Sequence, residues 1–118
     1  MLIQDKHILA LEDEPVVAFL LEDMLLDAGA ASVTLASRLA EAAAAIDRGG
    51  IDLAVLDVNV HGELSYPIAD RLAAAGVPYV FASGYGDREH PGRHAGASTL
   101  TKPYDARQLV EAFANLQD

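Results

Sequence analysis

Cysteine is absent from all 118 residues, which excludes disulfides, thiolate metal ligation and a thiol nucleophile together. Positive charge is scarce. Eight Lys and Arg stand against 18 Asp and Glu, a formal charge of −10, and the few basic residues form no cluster. A chain of that sign repels a phosphate backbone, so direct nucleic-acid binding is excluded. A long apolar run is also missing from the start, because MLIQDKHILALEDE is broken by acids too soon for a signal peptide or a membrane span. A soluble, cytoplasmic protein is expected. What the chain does have is apolar bulk: 52% hydrophobic composition over this length suffices for one compact domain, residues 1–118, and leaves little room for a second.

The apolar residues fall into two alternating rhythms. HILAL is a short strand, after which Pro15 opens a segment with Val17, Leu20, Leu21 and Met24 at helical spacing, closed by Gly29. Ser32 to Ala36 is a second strand. Ser37 is the expected N-cap of a helix carrying Leu39, Ala42, Ala43 and Ile46, which Gly49-Gly50 ends. Asp52 to Leu56 is a third strand, followed by a helix from Tyr66 to Ala75 with Ser65 as cap and Gly76 as terminator. Val77 to Ala82 is a fourth. The segment GDREHPGRHAGA behind it is so dense in Gly, Pro and charge that its helix should be short or irregular. Ser98 to Thr101 is the fifth strand, and Asp105 caps a last helix whose Leu109, Phe113 and Leu116 face the core.

Strict alternation of strand and helix implies an α/β fold with a parallel sheet covered on both faces, since parallel strands need right-handed crossovers. The expectation is a flavodoxin-like, doubly wound five-stranded sheet of order 2-1-3-4-5 with five helical segments. Strands 1 and 3 are then neighbours at the switch point. The residues that follow the strands are chemically distinctive: Glu12-Asp13 after the first, Asp57 after the third, Ser83 after the fourth and Lys102 after the fifth. An acidic pair, a lone carboxylate, a hydroxyl and an ammonium therefore share one sheet edge, where ligands of such sheets bind. Taken singly, each has an ordinary reading: acids at a helix N-terminus, a loop acid, a turn serine, a surface lysine. Their joint placement favours a phosphoryl-accepting site.

With these residues in this order, the chain resembles the receiver domain of bacterial two-component response regulators over essentially its whole length. The resemblance makes Asp57 the phosphoacceptor, Glu12 and Asp13 the acidic pair, Ser83 the hydroxyl residue and Lys102-Pro103 the family's Lys-Pro dipeptide. FASGYG around Ser83 and DVNVHGELSYPIADRL resemble a subgroup common in alphaproteobacteria, marked by a Phe-Ala-Thr-Gly motif and often paired with unorthodox sensor histidine kinases. Two positions depart from the family pattern. Thr99 stands where receivers usually carry an aromatic residue that rotates inward on phosphorylation, and His61 stands where many carry proline, so the loop after strand 3 should be differently shaped.

Two like charges about 4 Å apart repel by about 4 kcal/mol at an effective dielectric of 20. Clustered acids of this kind call for a cation. All-oxygen ligands point to a hard one, Mg2+ or alternatively Mn2+, with Asp13 and Asp57 as direct ligands and Glu12 acting through water. The resemblance adds the backbone carbonyl of Asn59 as a ligand and makes a cis bond at Lys102-Pro103 the expectation. Asp57 then acts as nucleophile, while Ser83 and Lys102 hold the remaining phosphoryl oxygens. Asn59 and Tyr85, each two residues beyond a site residue, should tune lifetime, and Thr99 and Pro103 should modulate.

The expected function is a phosphoacceptor module without substrate turnover of its own and without an output domain. Its partner is a sensor histidine kinase or histidine phosphotransfer protein, and it acts by protein contacts, as a phosphate sink or as a relay. It contacts no membrane and is a monomer or weak homodimer. Two alternatives belong to other classes. A phosphorylation-independent interaction domain is kept open by Thr99, and an aspartyl-nucleophile phosphatase is opposed by Asn59, where such enzymes have a second acid. His90, His94 and His61 are read as loop residues rather than ligands, and His7 as a residue bordering the first strand. Tyr66 and Phe113 are packing residues, and Tyr104 packs or joins a partner surface.

Overall fold

The computed structural model describes residues 3–84 and 98–116. In chain order the elements are β1 (His7–Leu11), α1 (Pro15–Asp27), β2 (Ser32–Ala36), α2 (Leu39–Arg48), β3 (Leu53–Asp57), β4 (Asn59–Val60), β5 (Glu63–Leu64), α3 (Tyr66–Ala74), β6 (Tyr79–Ser83), β7 (Thr99–Thr101) and α4 (Ala106–Ala114). Five strands form one parallel sheet in the order β2-β1-β3-β6-β7. Counting only that sheet's strands, the order is the expected 2-1-3-4-5. Two features differ from expectation. A separate antiparallel pair, β4–β5, follows β3, and the described residues hold four helices, the segment expected to carry the remaining one lying outside them.

Period-two alternation along each strand divides the core between the two sheet faces. Leu9, Leu11, Ala54, Leu56 and Phe81 pack with Ala42, Ala45, Ile68, Ala69 and Leu72 of α2 and α3. Ile8, Ala10, Leu53, Val55, Val80 and Ala82 pack instead with Leu21 and Leu25 of α1 and Leu109 and Phe113 of α4. On the first face Phe81 meets Tyr66 and Tyr79 edge-on, with ring centroids 5.4 and 5.5 Å away, so Tyr66 is the packing residue its position suggested. Among the described residues no helix is long and apolar enough to cross a membrane.

Helix starts show where local chemistry and register disagree. Asp105 caps α4 as expected: its side chain accepts from Gln108 N at 2.9 Å, and Gln108 Oε1 accepts from Asp105 N at 2.9 Å. Ser37 is not the cap of α2. Arg38 holds that position, and the amide and hydroxyl of Ser37 both donate to Glu41 Oε1 at 2.8 Å. Ser65 does sit at the start of α3, yet ψ of 6° replaces the extended backbone a cap requires and its hydroxyl makes no cap bond.

The stripe on α1 is also turned. Ala18, Leu21 and Leu25 are buried, while Leu20 is 57% exposed along with Val16 and Phe19. The segment PVVAFLLEDMLLD is apolar nearly all round, so spacing alone could not choose the inward face.

Candidate functional site

The parallel register carries the strand ends to one level. Leu11 pairs with Leu56, Asp57 with Ala82 and Ser83 with Thr101, so Glu12, Asp57, Ser83 and Lys102 emerge side by side at the carboxyl edge. Backbone bonds lock the exits: Glu12 N donates to Ala36 O at 2.9 Å, Val58 N to Ala82 O at 3.1 Å and Lys102 N to Ser83 O at 2.9 Å. The Lys102-Pro103 peptide is cis, as the resemblance implied.

Glu12, Asp57 and Ser83 are buried, and with Ser65 they make up the buried polar residues among those described. Lys102 Nζ lies 2.8 Å from Glu12 Oε2 and 3.3 Å from Asp57 Oδ1. Burial, then the neighbouring charge of Glu12, push the Asp57 carboxyl up to about 7 even though Lys102 pulls the other way. Burial alone would lower the lysine, but its bond to Glu12 and the charges of Asp57 and Glu12 raise it. The ammonium is thus held charged between two acids.

One ammonium cannot balance three carboxylates. Oxygens of Glu12, Asp13 and Asp57 lie within 4.8 Å of one another, and Glu12 Oε1 is buried with no hydrogen-bond partner. An orphaned buried carboxylate oxygen beside two more acids is the donor set of a hard divalent cation, and the residues fit Mg2+.

A model of the response regulator receiver domain matches residues 8–114. The chain belongs to that family. Among solved structures, this receiver is similar to SdrG from Sphingomonas melonis Fr1, with 39% identity, 97% of each chain covered and a TM-score of 0.77. The BeF3-activated conformation of SdrG from Pseudomonas melonis Fr1 is 38% identical, with 94% of this chain and 95% of that one covered and a TM-score of 0.80. A CheY-like receiver domain from Methylobacillus flagellatus shares the fold at 20% identity, with 95% and 98% coverage and a TM-score of 0.80. No curated protein matches the receiver significantly.

Around the site, His61 and Asn59 belong to the hairpin that sequence reasoning missed. Gly62 N donates to Asn59 Oδ1 at 2.9 Å, so the Asn59 carboxamide closes a turn. His61 N donates to Asp13 Oδ2 at 3.0 Å. The overlooked signal was the His-Gly dipeptide between two short extended pairs, since one common two-residue hairpin turn has positive φ at both central positions, which glycine favours. Thr99 occupies the first position of β7, paired with Phe81. Tyr85, His90 and His94 lie outside the described residues.

One further side chain borders the site. Tyr104 is half-buried, its hydroxyl pushed up to about 12 by burial, and with Lys102 and Pro103 it faces Val17, Leu20 and Met24 of α1 across a groove of about 290 Å³. At the opposite end of the sheet, His7 N donates to Asp52 Oδ2 at 2.9 Å and its ring meets Ser32 Oγ at 2.7 Å, so His7 borders the first strand in a structural role.

Proposed function

We propose that this receiver takes a phosphoryl group from a phosphohistidine, on a sensor histidine kinase or a histidine phosphotransfer protein, onto Asp57. The observation that carries the reading is the shared ammonium: Lys102 binds Glu12 and Asp57 at once, beside a trio of carboxylates that one positive charge cannot balance. An Asp57 oxygen attacks phosphorus, the P–N bond of the phosphohistidine breaks, and the imidazole leaves with its electron pair. The product is an acyl phosphate, which water later returns to carboxylate and inorganic phosphate. Lys102 turns from the carboxylate pair to the incoming phosphoryl oxygens, and Ser83 at the end of the adjacent strand donates to another.

Asp13 and Asp57 would hold Mg2+ directly, Glu12 through water, and Asn59 by its backbone carbonyl. Such a cation offsets the carboxylate charge and orients a phosphoryl oxygen. The existence of a BeF3-activated conformation of SdrG supports the reading, because beryllofluoride imitates a phosphoryl group. Phe81-Ala82-Ser83-Gly84 supports a place in the Phe-Ala-Thr-Gly subgroup. Output is a protein contact, a sink or a relay, without turnover of a separate substrate.

The donor meets the receiver on α1, where exposed Leu20 lines the groove that Lys102 also lines and exposed Val16 and Phe19 extend the apolar surface of the helix. The test is intact mass after incubation with acetyl phosphate and Mg2+. Wild type gains one phosphoryl group and Asp57→Asn gains none; uptake by that variant rejects the assignment.

A further inference from the structure

The hairpin β4–β5 enters the chemistry described above only through the Asn59 carbonyl, yet its tip also touches the acidic site. Asn59 pairs with Leu64 and Val60 with Glu63, leaving His61 and Gly62 as a two-residue turn with φ of 51° and 83°. Positive φ at both centres gives the twist that suits a two-residue hairpin. Glycine adopts it freely; histidine does so uncommonly, and such a conformation persists where the surroundings fix it. Here three bonds do so. Ser65 N donates to Val58 O at 2.9 Å at the base, Gly62 N donates to Asn59 Oδ1 at 2.9 Å within the turn, and His61 N donates to Asp13 Oδ2 at 3.0 Å across 48 residues of sequence.

We infer that the backbone amide of His61 is a positioning group for Asp13, and that divalent-cation affinity depends on the main chain at position 61 rather than on the imidazole. The inference rests on the reading of Glu12, Asp13 and Asp57 as a cation site. An N–H bond to a carboxylate is charge-assisted, and partners of this kind orient a ligand before the ion arrives. With Oδ2 held, the Asp13 carboxylate cannot turn freely, and Oδ1 is left for the cation. The ring is a poor candidate for the same task. Its Nδ1 is 3.9 Å from Oδ2, beyond hydrogen-bond reach, and the side chain is 54% exposed. Proline at this position would have neither the N–H nor the permitted φ.

Mg2+ titrations of the full chain, followed by amide chemical shifts, test the inference in wild type, His61→Gly and His61→Pro, with thermal midpoints taken in the absence of metal. Glycine retains both the amide and the backbone conformation, so His61→Gly should keep the wild-type affinity. His61→Pro should weaken it about tenfold or more, the usual range for an orienting partner. Equal affinity in wild type and His61→Pro overturns the inference alone, as does an equal loss in both variants, which would assign the effect to the ring. Failure of wild type to bind Mg2+ overturns the cation site and the inference with it. Should His61→Pro not fold, hydrogen exchange of the His61 amide in wild type decides: slow exchange that speeds up in Asp13→Ala supports the clamp, and fast exchange in wild type removes it.

Discussion

Lys102 Nζ stands 2.8 Å from Glu12 Oε2 and 3.3 Å from Asp57 Oδ1, so residues at the carboxyl ends of β7, β1 and β3 share a single positive charge. Removing it leaves two buried acids uncompensated. Lys102→Met should therefore destabilise the fold by about 3 kcal/mol near pH 8, the scale of breaking a buried pair. The loss should shrink near pH 5, where Asp57 takes up a proton, and Mg2+ should partly restore stability at pH 8. Urea denaturation at both pH values, with and without Mg2+, measures this. A loss indifferent to pH and metal would mean that the lysine stem matters for packing and its charge does not.

The raised Asp57 carboxyl gives a second pH dependence, with a definite sign. Its folded value of about 7 lies above the ordinary aspartate value of 3.8, so the folded state holds a proton that the unfolded chain has lost across that window. The associated stability is complete below pH 4 and is lost as pH rises to about 7, by up to about 1.4 kcal/mol per pH unit. Asp57→Asn should flatten the profile. Mg2+ competes with the same proton, so its apparent affinity should rise with pH up to about 7 and level off above. Stability that climbs steadily from pH 4 to 7 in wild type without metal would contradict the shift.

Two helix starts offer a contrast in stability. The capping box at Asp105 satisfies a backbone donor with a side-chain oxygen, so Asp105→Ala should cost about 1 kcal/mol. Ser65 sits at the equivalent place on α3, but its hydroxyl is buried with no partner. Ser65→Ala removes an unsatisfied polar atom and should leave stability unchanged or raise it by about 1 kcal/mol. The thermal midpoint should fall for Asp105→Ala and hold or rise for Ser65→Ala, and a fall for Ser65→Ala would show that the hydroxyl is satisfied.

The same contrast marks what the sequence could disclose. Strand order followed from alternation of two periods, and the edge carrying Glu12, Asp57, Ser83 and Lys102 followed from where apolar runs stop. Those signals extend over several residues and agree with one another. Ser37 and Ser65 looked like equally good caps because residue type reports a preference, whereas the backbone angle that realises it is set by packing. On α1, Leu20 and Leu25 are equally apolar and only the sheet beneath selects one. The β4–β5 hairpin was hidden by brevity: two residues per strand give no period to read, and only His61-Gly62 marked the turn.

The outward face of α1 leads to the remaining prediction. Phe19 is 60% exposed and Leu20 57%, and Leu20 lines a groove whose far wall is Lys102, Pro103 and Tyr104. Substituting side chains that exposed changes stability by no more than about 0.5 kcal/mol, so Phe19→Ser and Leu20→Ser should fold as wild type does. Phosphorylation by acetyl phosphate, which needs only the pocket, should proceed at the wild-type rate. Transfer from a phosphohistidine protein needs a docked helix surface, and loss of one aromatic or aliphatic anchor there should slow it about tenfold, equivalent to about 1.4 kcal/mol. Parallel time courses with the two donors separate the outcomes. Equal slowing with both would place the defect in the pocket, and no slowing with either would leave α1 without a part in donor recognition.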